Sequence, residues 1–83
     1  MSYYVAILDG SRDVWGVRFP DFPGCHGGGP TPDSAIADAT SALREFAALM
    51  VADGEAVPRA RTLEEIEPNE RPGKAECLVM IPL

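Results

Sequence analysis

The sequence has few basic residues and no run of them. Seven Lys and Arg residues are scattered among thirteen Asp and Glu, and the formal net charge is −6 at pH 7. A protein that binds DNA or RNA needs a basic stripe to displace the counterions of the phosphate backbone. We therefore expect no direct nucleic-acid binding by this chain, whereas an acidic surface suits a basic protein partner.

Residues that ligate metals or carry redox chemistry are equally scarce. The chain has two cysteines, Cys25 and Cys77, without Cys-x-x-Cys spacing, and a single histidine, His26. A metal or catalytic centre needs several such groups close together. We therefore predict no metal, no cofactor and no catalytic residue, and we interpret both cysteines as small buried residues and His26 as a surface residue at a strand end.

Long hydrophobic runs are also missing. No apolar run reaches the length of a membrane span or of a signal peptide core, and the first run has no basic residues before it. We expect a cytoplasmic protein without membrane contact. With 83 residues the chain has room for one domain, residues 1–83, with a thin core, for which self-association is a common remedy. The expected state is a homodimer or a higher homo-oligomer.

Two segments that are apolar throughout predict strands buried on both faces. They are residues 3–8 and 77–81, and a strand with one wet face would alternate apolar and polar residues instead. Residues 9–13 have hairpin-turn chemistry, and residues 14–19 alternate as in a second strand. One long helix cannot cover both faces of such a sheet, so another subunit is the expected second cover.

The segment from Phe19 to Cys25 links this hairpin to the rest of the chain. Its residues are Phe19, Pro20, Asp21, Phe22, Pro23, Gly24 and Cys25. The two prolines fix φ and remove backbone donors, so ladder pairing must stop here. The glycine favours a sharp turn, after which a short strand restarts at the cysteine. The three glycines that follow lack phosphate-loop spacing and are interpreted as a flexible link to a helix.

A long helix is predicted from about residue 31 to about residue 53. Thr31 is a hydroxyl N-cap, and the proline after it suits the first helical position. Apolar residues then recur at the 3 and 4 spacing of one buried stripe, and Gly54 suits a left-handed C-cap. Residues 55–75 are rich in proline and charge and predict a surface connection, with a capping box at Thr62.

The expected fold is α+β with the order β-β-β-α-β. A helix that crosses the sheet between the third and fourth strands places the last strand parallel to the first. We therefore predict a four-stranded mixed sheet of order 3-2-1-4 with the helix on one face. The connection also carries an acidic cluster, Glu64, Glu65, Glu67 and Glu70. Such a cluster is often only a solvated face, but these residues are also candidate partner contacts.

Several motifs together resemble the HicB antitoxin family over nearly the whole chain. They are Tyr4-Val5-Ala6-Ile7, Trp15-Gly16-Val17, the segment from Phe19 to Cys25, Gly29-x-Thr31 before the helix, Ala35 and Ala39-x-x-Ala42-Leu43 within it, and Asp53-Gly54-Glu55-x-x-Pro58 after it. The resemblance implies a partial ribonuclease H-like domain. It also implies binding and blocking of HicA, a small basic mRNA-cleaving toxin. Pro30 and Ser34 depart from the family pattern, which has an acidic or polar residue and often Glu there.

Operator binding is not implied by the resemblance, because many full-length HicB antitoxins continue into a DNA-binding domain, whereas this chain stops at Leu83. Two alternatives to an antitoxin stay open, a metal-dependent nuclease and a structural or ligand-sensing domain. A ribonuclease H-like nuclease would need strand-borne carboxylates for divalent metal, and the two apolar strands carry none internally. A self-associating structural or ligand-sensing domain without a toxin partner is the other alternative. Co-purification with a small basic protein would separate it from an antitoxin.

Overall fold

The computed structural model describes residues 2–83 and contains four strands, one long helix and two short 3-10 turns. The strands are β1 (Tyr3–Ser11), β2 (Val14–Arg18), β3 (His26–Gly29) and β4 (Cys77–Pro82), the helix α1 is Pro32–Ala52, and the turns are Leu63–Glu65 and Pro68–Glu70. The element order is the predicted β-β-β-α-β. The α+β class and the sheet order β3-β2-β1-β4 are also confirmed.

The direction of β4 differs from the prediction. Every neighbouring pair of strands is antiparallel, and β4 pairs with β1 from Tyr3 opposite Pro82 to Leu8 opposite Cys77. The expected mixed sheet is therefore wrong. α1 returns the chain to the end of the sheet where β1 begins, and a direct crossover from there would give a parallel strand. Instead, residues 53–76, called the connecting segment below, carry the chain back to the other end before β4 starts.

α1 covers one face of the sheet with the predicted apolar stripe. Its buried residues are Ala35, Ala39, Leu43 and Ala47, with Ile36, Ala42, Phe46 and Met50 packed partly beside them. Thr31 caps the helix and forms a capping box with Ser34, and Gly54 ends it with a φ of 76°. Within residues 2–83 no helix is both long and apolar enough to cross a membrane.

The glycine run after Cys25 is a strand and not a flexible link. Gly27, Gly28 and Gly29 all belong to β3, which pairs with β2. A Cβ at Gly27 would lie 2.4 Å from the backbone of Ala39, so this glycine lets α1 approach the sheet more closely than any side chain would allow. The glycine run therefore allows β3 and α1 to pack closely against each other.

The second face of the sheet, opposite α1, is covered unevenly. Val5 and Ile7 point to this face and are each 1% exposed. Ile66 of the connecting segment is also 1% exposed, and like Val5 and Ile7 it lies outside the core cluster under α1, so we infer that the connecting segment covers this face. The expected second subunit is therefore not needed over the centre of this face.

β4 is the exception to the predicted burial. It is an edge strand, and Leu78 and Met80 on the second face are 45% and 46% exposed. The expectation that residues 77–81 are buried on both faces is therefore wrong. Cys25 is buried as predicted, but Cys77 is exposed. The same continuous apolar pattern therefore belongs to a buried central strand in β1 and to a partly exposed edge strand in β4.

Candidate protein-interaction site

The segment from Phe19 to Cys25 folds as two consecutive turns around one buried ring. The Phe22 amide donates to the Phe19 carbonyl at 3.1 Å, and the Cys25 amide donates to the Phe22 carbonyl at 3.0 Å. Gly24 adopts a φ of 91°, as its role in the turn requires. Phe22 is 1% exposed and meets the Tyr4 ring at 4.9 Å in an edge-to-face arrangement. The aromatic residues of this segment therefore fill the core.

Asp21 ties the same segment to the connecting segment. Its side chain is 2% exposed and accepts hydrogen bonds from Arg61, from Nε at 2.5 Å and from the backbone amide at 3.1 Å. Close by, the Tyr4 hydroxyl donates to the Pro58 carbonyl. Burial, together with the charge of Asp21, raises the pKa of the Tyr4 phenol, which stays protonated and able to donate. The three hydrogen bonds fix the path of residues 58–61.

A groove of about 400 Å³ opens beside this segment at the end of α1. Its lining combines apolar residues with carboxylates, of which Asp53 and Glu55 are exposed and Asp21 is buried: Phe22, Pro23, Phe46, Leu49 and Met50, with Asp21, Asp53 and Glu55. We call it the acid-rimmed groove. Leu49 is 65% exposed, which is unusual for a large apolar side chain beside a groove. An accessible apolar side chain beside exposed charged ones is typical of protein-binding surfaces.

The rim is more negative than its carboxylates alone suggest. Asp53 and Glu55 lie at the C-terminal end of α1, where the helix dipole already places partial negative charge, and the last turn has no basic residue. Among residues 2–83, no Lys or Arg lines the groove. Asp21 is balanced by Arg61, but Asp53 and Glu55 have no ion-pair partner among the described residues. A cationic group placed here would relieve this charge.

The four predicted acidic contacts lie on the connecting segment, and none of them lines the groove. Glu65 is occupied within the fold, because both its oxygens accept from Arg59 at 2.7 and 3.0 Å and it also caps the Thr62 amide. These bonds lower the pKa of Glu65 to about 2. In the part of the chain that the structure describes, Glu64, Glu67 and Glu70 form no ion pair.

The remaining candidates have structural positions. Gly29 faces the start of α1, where a Cβ would lie 2.3 Å from the Ser34 hydroxyl. Thr31 is occupied as the helix cap. Burial raises the pKa of the Cys25 thiol, which disfavours the nucleophilic thiolate. His26 is exposed at the start of β3, and residues 2–83 contain no group of three potential metal ligands.

Comparison with known proteins gives a family match over almost the whole chain. Residues 3–82 match the family model described as HicB_like antitoxin of bacterial toxin-antitoxin system. No curated protein matches the sequence. The match therefore rests on the pattern of the family and not on one near relative.

Solved structures share the fold. The crystal structure of the antitoxin HicB from Burkholderia pseudomallei is 25% identical with a TM-score of 0.80, and the match covers 100% of this chain and 64% of that one. The N-terminal domain of the same antitoxin is 24% identical with a TM-score of 0.76, over 98% of this chain and 96% of that one. A chain of the HicA3 and HicB3 toxin-antitoxin complex is 16% identical with a TM-score of 0.71, over 96% and 95%. The present chain thus spans less than two thirds of the first antitoxin and nearly all of its N-terminal domain.

Proposed function

The chain belongs to the HicB-like antitoxin family of bacterial toxin-antitoxin systems, and on that premise we propose that it binds a small basic HicA-type toxin and blocks its RNA-binding surface. The family match over residues 3–82 is the observation that carries the proposal. It is supported by a chain of the same fold that belongs to a HicA3–HicB3 complex. Neutralisation of this kind is steric and electrostatic, so the chain needs no catalytic residue, metal or nucleic-acid contact of its own.

We place the toxin on the acid-rimmed groove. A basic toxin that binds RNA must carry cationic side chains on its RNA-binding surface, and the rim offers Asp53 and Glu55 without internal partners. Leu49 and the edge of Phe46 supply apolar area that a partner would bury. Buried anchors set the residence time of a complex, whereas charge mainly speeds the encounter. The groove combines both properties in one place.

The encounter with the toxin is also accelerated by three other carboxylates, those of Glu64, Glu67 and Glu70. They lie outside the groove and add negative potential that attracts a basic partner over a longer distance. Glu65 is assigned instead to the internal network with Arg59 and Thr62, because both its oxygens are already used. The four acidic candidates therefore divide into three steering residues and one structural residue.

The test of the function first asks whether an adjacent reading frame encodes a small basic protein. That protein is expressed alone and together with the chain, and growth arrest and mRNA cleavage are measured. We expect arrest and cleavage in the absence of the chain and rescue in its presence, through a stable complex. No complex, no rescue, or a divalent-metal-dependent nuclease activity of the purified chain would overturn the proposal.

The test of the surface uses two matched helix variants. Leu49 and Val51 are both 65% exposed on α1, but only Leu49 lines the groove. Leu49→Arg places a positive charge and a larger side chain where a basic partner should dock, so rescue should be lost. Val51→Arg makes the same chemical change outside the groove and should rescue like the parent. Equal rescue by both variants would leave the antitoxin function intact and exclude the groove.

A further inference from the structure

α1 ends in a Schellman motif, in which a left-handed residue turns the chain back over the last helical turn. The Glu55 amide donates to the Met50 carbonyl at 2.8 Å, and the Gly54 amide donates to the Val51 carbonyl at 3.0 Å. Gly54 has the left-handed φ of 76° that the motif needs. Because both bonds join backbone groups, they fix the position of Glu55 beside the acid-rimmed groove with respect to α1.

The apolar side chain that usually completes this motif is missing. The residue after the left-handed position is frequently apolar and packs on the last turn of the helix. Here that residue is Glu55, which is exposed, and the residues that it would cover are Leu49 and Met50. Leu49 is 65% exposed and lies outside the core cluster under α1. The motif therefore leaves an apolar surface uncovered and places a carboxylate beside it.

The surroundings of this uncovered surface suit one kind of side chain. A group that binds here needs an apolar stem for the last turn of α1 and a positive head for Asp53 and Glu55. Lysine and arginine have this form, since both bury an aliphatic stem and keep a charged head at the surface. Phe46 favours arginine, because its half-buried ring lines the same groove and a guanidinium stacks on aromatic rings.

We propose that the acid-rimmed groove binds one arginine side chain of the basic toxin, an inference that rests on the function proposed above. The aliphatic stem of the arginine takes the place of the missing apolar residue of the Schellman motif and covers Leu49. Its guanidinium binds Asp53 and Glu55, where the C-terminal dipole of α1 adds to the attraction. A guanidinium has five N–H donors in a fixed plane and can serve two carboxylates at once, whereas the ammonium of lysine is a compact and strongly hydrated charge.

The identity of residue 55 then sets stability against binding. An apolar residue at this position would complete the motif and cover Leu49 from within the chain. Glu55 leaves that contact open, so the free chain is less stable than it could be and the groove can accept an arginine. Stability is often lost in this way where a residue serves function. Glu55 is therefore the residue that determines the specificity of the groove.

The first experiment measures the thermal stability of the purified chain without a partner. Glu55→Leu supplies the missing apolar contact and should raise the melting temperature by about 2 to 4 °C. The matched control is Glu64→Leu, the same change at an exposed carboxylate that forms no ion pair within residues 2–83. Both variants lose one negative charge, and the control should stay within about 1 °C of the parent. A melting temperature of Glu55→Leu that does not exceed that of the control would overturn the inference.

The second experiment measures dissociation of the complex with the basic protein that is co-expressed in the test of the function. Glu55→Leu and Glu55→Gln should each speed dissociation about tenfold, because each removes one partner of a desolvated charge pair. Since Glu55→Leu is also the more stable chain, unfolding cannot explain its weaker binding. Glu64→Leu should dissociate at the parent rate.

The third experiment identifies the bound side chain by double-mutant cycles. Each arginine of the basic protein is changed to lysine, and one of these changes should weaken binding to the parent chain about tenfold but have little further effect with Glu55→Gln. A parent chain that forms no complex would overturn the proposed function and this inference with it. A normal complex in which neither Glu55 variant dissociates faster, or in which no arginine is coupled to Glu55, would leave the antitoxin function intact and overturn the inference alone.

Discussion

The carboxylate of Asp21 holds Arg61 by two hydrogen bonds, one to the side chain at 2.5 Å and one to the backbone amide at 3.1 Å. The bonds join residues that are forty positions apart, and the carboxylate is almost fully buried. The pair positions the connecting segment before it crosses to the second face. A residue of the family motif therefore anchors the connecting segment to the body of the fold.

Replacing Asp21 should destabilise the fold more than a surface substitution does. Asp21→Asn keeps the size and one acceptor oxygen but removes the negative charge and the second acceptor, which leaves the Arg61 guanidinium without a charged partner. Removing one partner of a buried pair leaves the other without compensation, and because the Asp21 carboxylate is almost fully buried we expect a loss well above that of a surface substitution, reduced by the partial solvation of Arg61. Urea denaturation measures the loss. Asp13→Asn, in the exposed hairpin turn, is the control and should change the unfolding free energy by less than about 0.5 kcal/mol.

A methyl group at Gly27 should force α1 away from the sheet. The added Cβ would lie 2.4 Å from the Ala39 backbone, which cannot move as a flexible side chain could. Overpacking of this kind costs about 1 to 3 kcal/mol. Gly16→Ala is the control, because its Cβ would have no neighbour nearer than 3.8 Å. Thermal melts that show Gly27→Ala as stable as Gly16→Ala would contradict the close approach of helix and strand.

Stability should fall in acid through two ion-paired carboxylates. Hydrogen bonds from Arg59 and the Thr62 amide lower the pKa of Glu65 to about 2, and hydrogen bonds from Arg18 and the Gly73 amide lower the pKa of Glu76 to about 2, against an ordinary value of 4.5. A carboxyl group with a lower pKa in the folded state stabilises the fold where it is ionised. Its contribution is therefore present above about pH 4.5 and is lost as the pH falls towards 2.

Melting temperatures between pH 7 and pH 2 test this dependence. The double variant Glu65→Gln, Glu76→Gln should be less stable at neutral pH and should lose less stability between pH 4.5 and pH 2 than the parent. Glu64→Gln, at a carboxylate without an ion-pair partner, should follow the parent curve. Parallel curves for the parent and the double variant would show that other carboxylates dominate the acid response.

The three steering carboxylates should affect association more than dissociation. The triple variant Glu64→Gln, Glu67→Gln, Glu70→Gln keeps Glu65 and its network intact. We expect about five- to tenfold slower association with the basic partner at low salt, a flatter salt dependence, and a dissociation rate within about twofold of the parent. Stopped-flow fluorescence with the co-purified partner gives both rates. A large rise in the dissociation rate would instead place these residues inside the contact surface.

Local signals in the sequence predicted the helix and the turns well. The Thr31 cap, the 3 and 4 spacing of apolar residues and Gly54 each act within a few residues, so the bounds of α1 were close to the observed ones. The sheet order followed from which strands were apolar. The direction of β4 was missed, because it depends on where the connecting segment leads, and residues 55–75 have no periodic pattern that reveals their path.

The candidate site could be predicted only in part. The acidic cluster is visible in the sequence, but the pairing of Glu65 with Arg59 depends on how the segment folds back. The acid-rimmed groove was missed, since Asp53 was interpreted as the end of the helix and Glu55 as the start of the surface connection, and both otherwise only as parts of a family motif. Leu49, next to the predicted stripe on α1, was a signal in the sequence, because a large apolar residue outside the buried stripe indicates a surface that is covered by something else.

The pairing of β1 with β4 also sets the order in which the protein can form. Tyr3 lies opposite Pro82, so the central strand of the sheet receives one of its two neighbours only after residues 77–82 have left the ribosome. Contacts between such distant residues form late, because the entropy of closing the intervening chain must be overcome first. Until then β1 has an open, strongly apolar edge. During synthesis, the strand most deeply buried in the finished protein is the one exposed for longest.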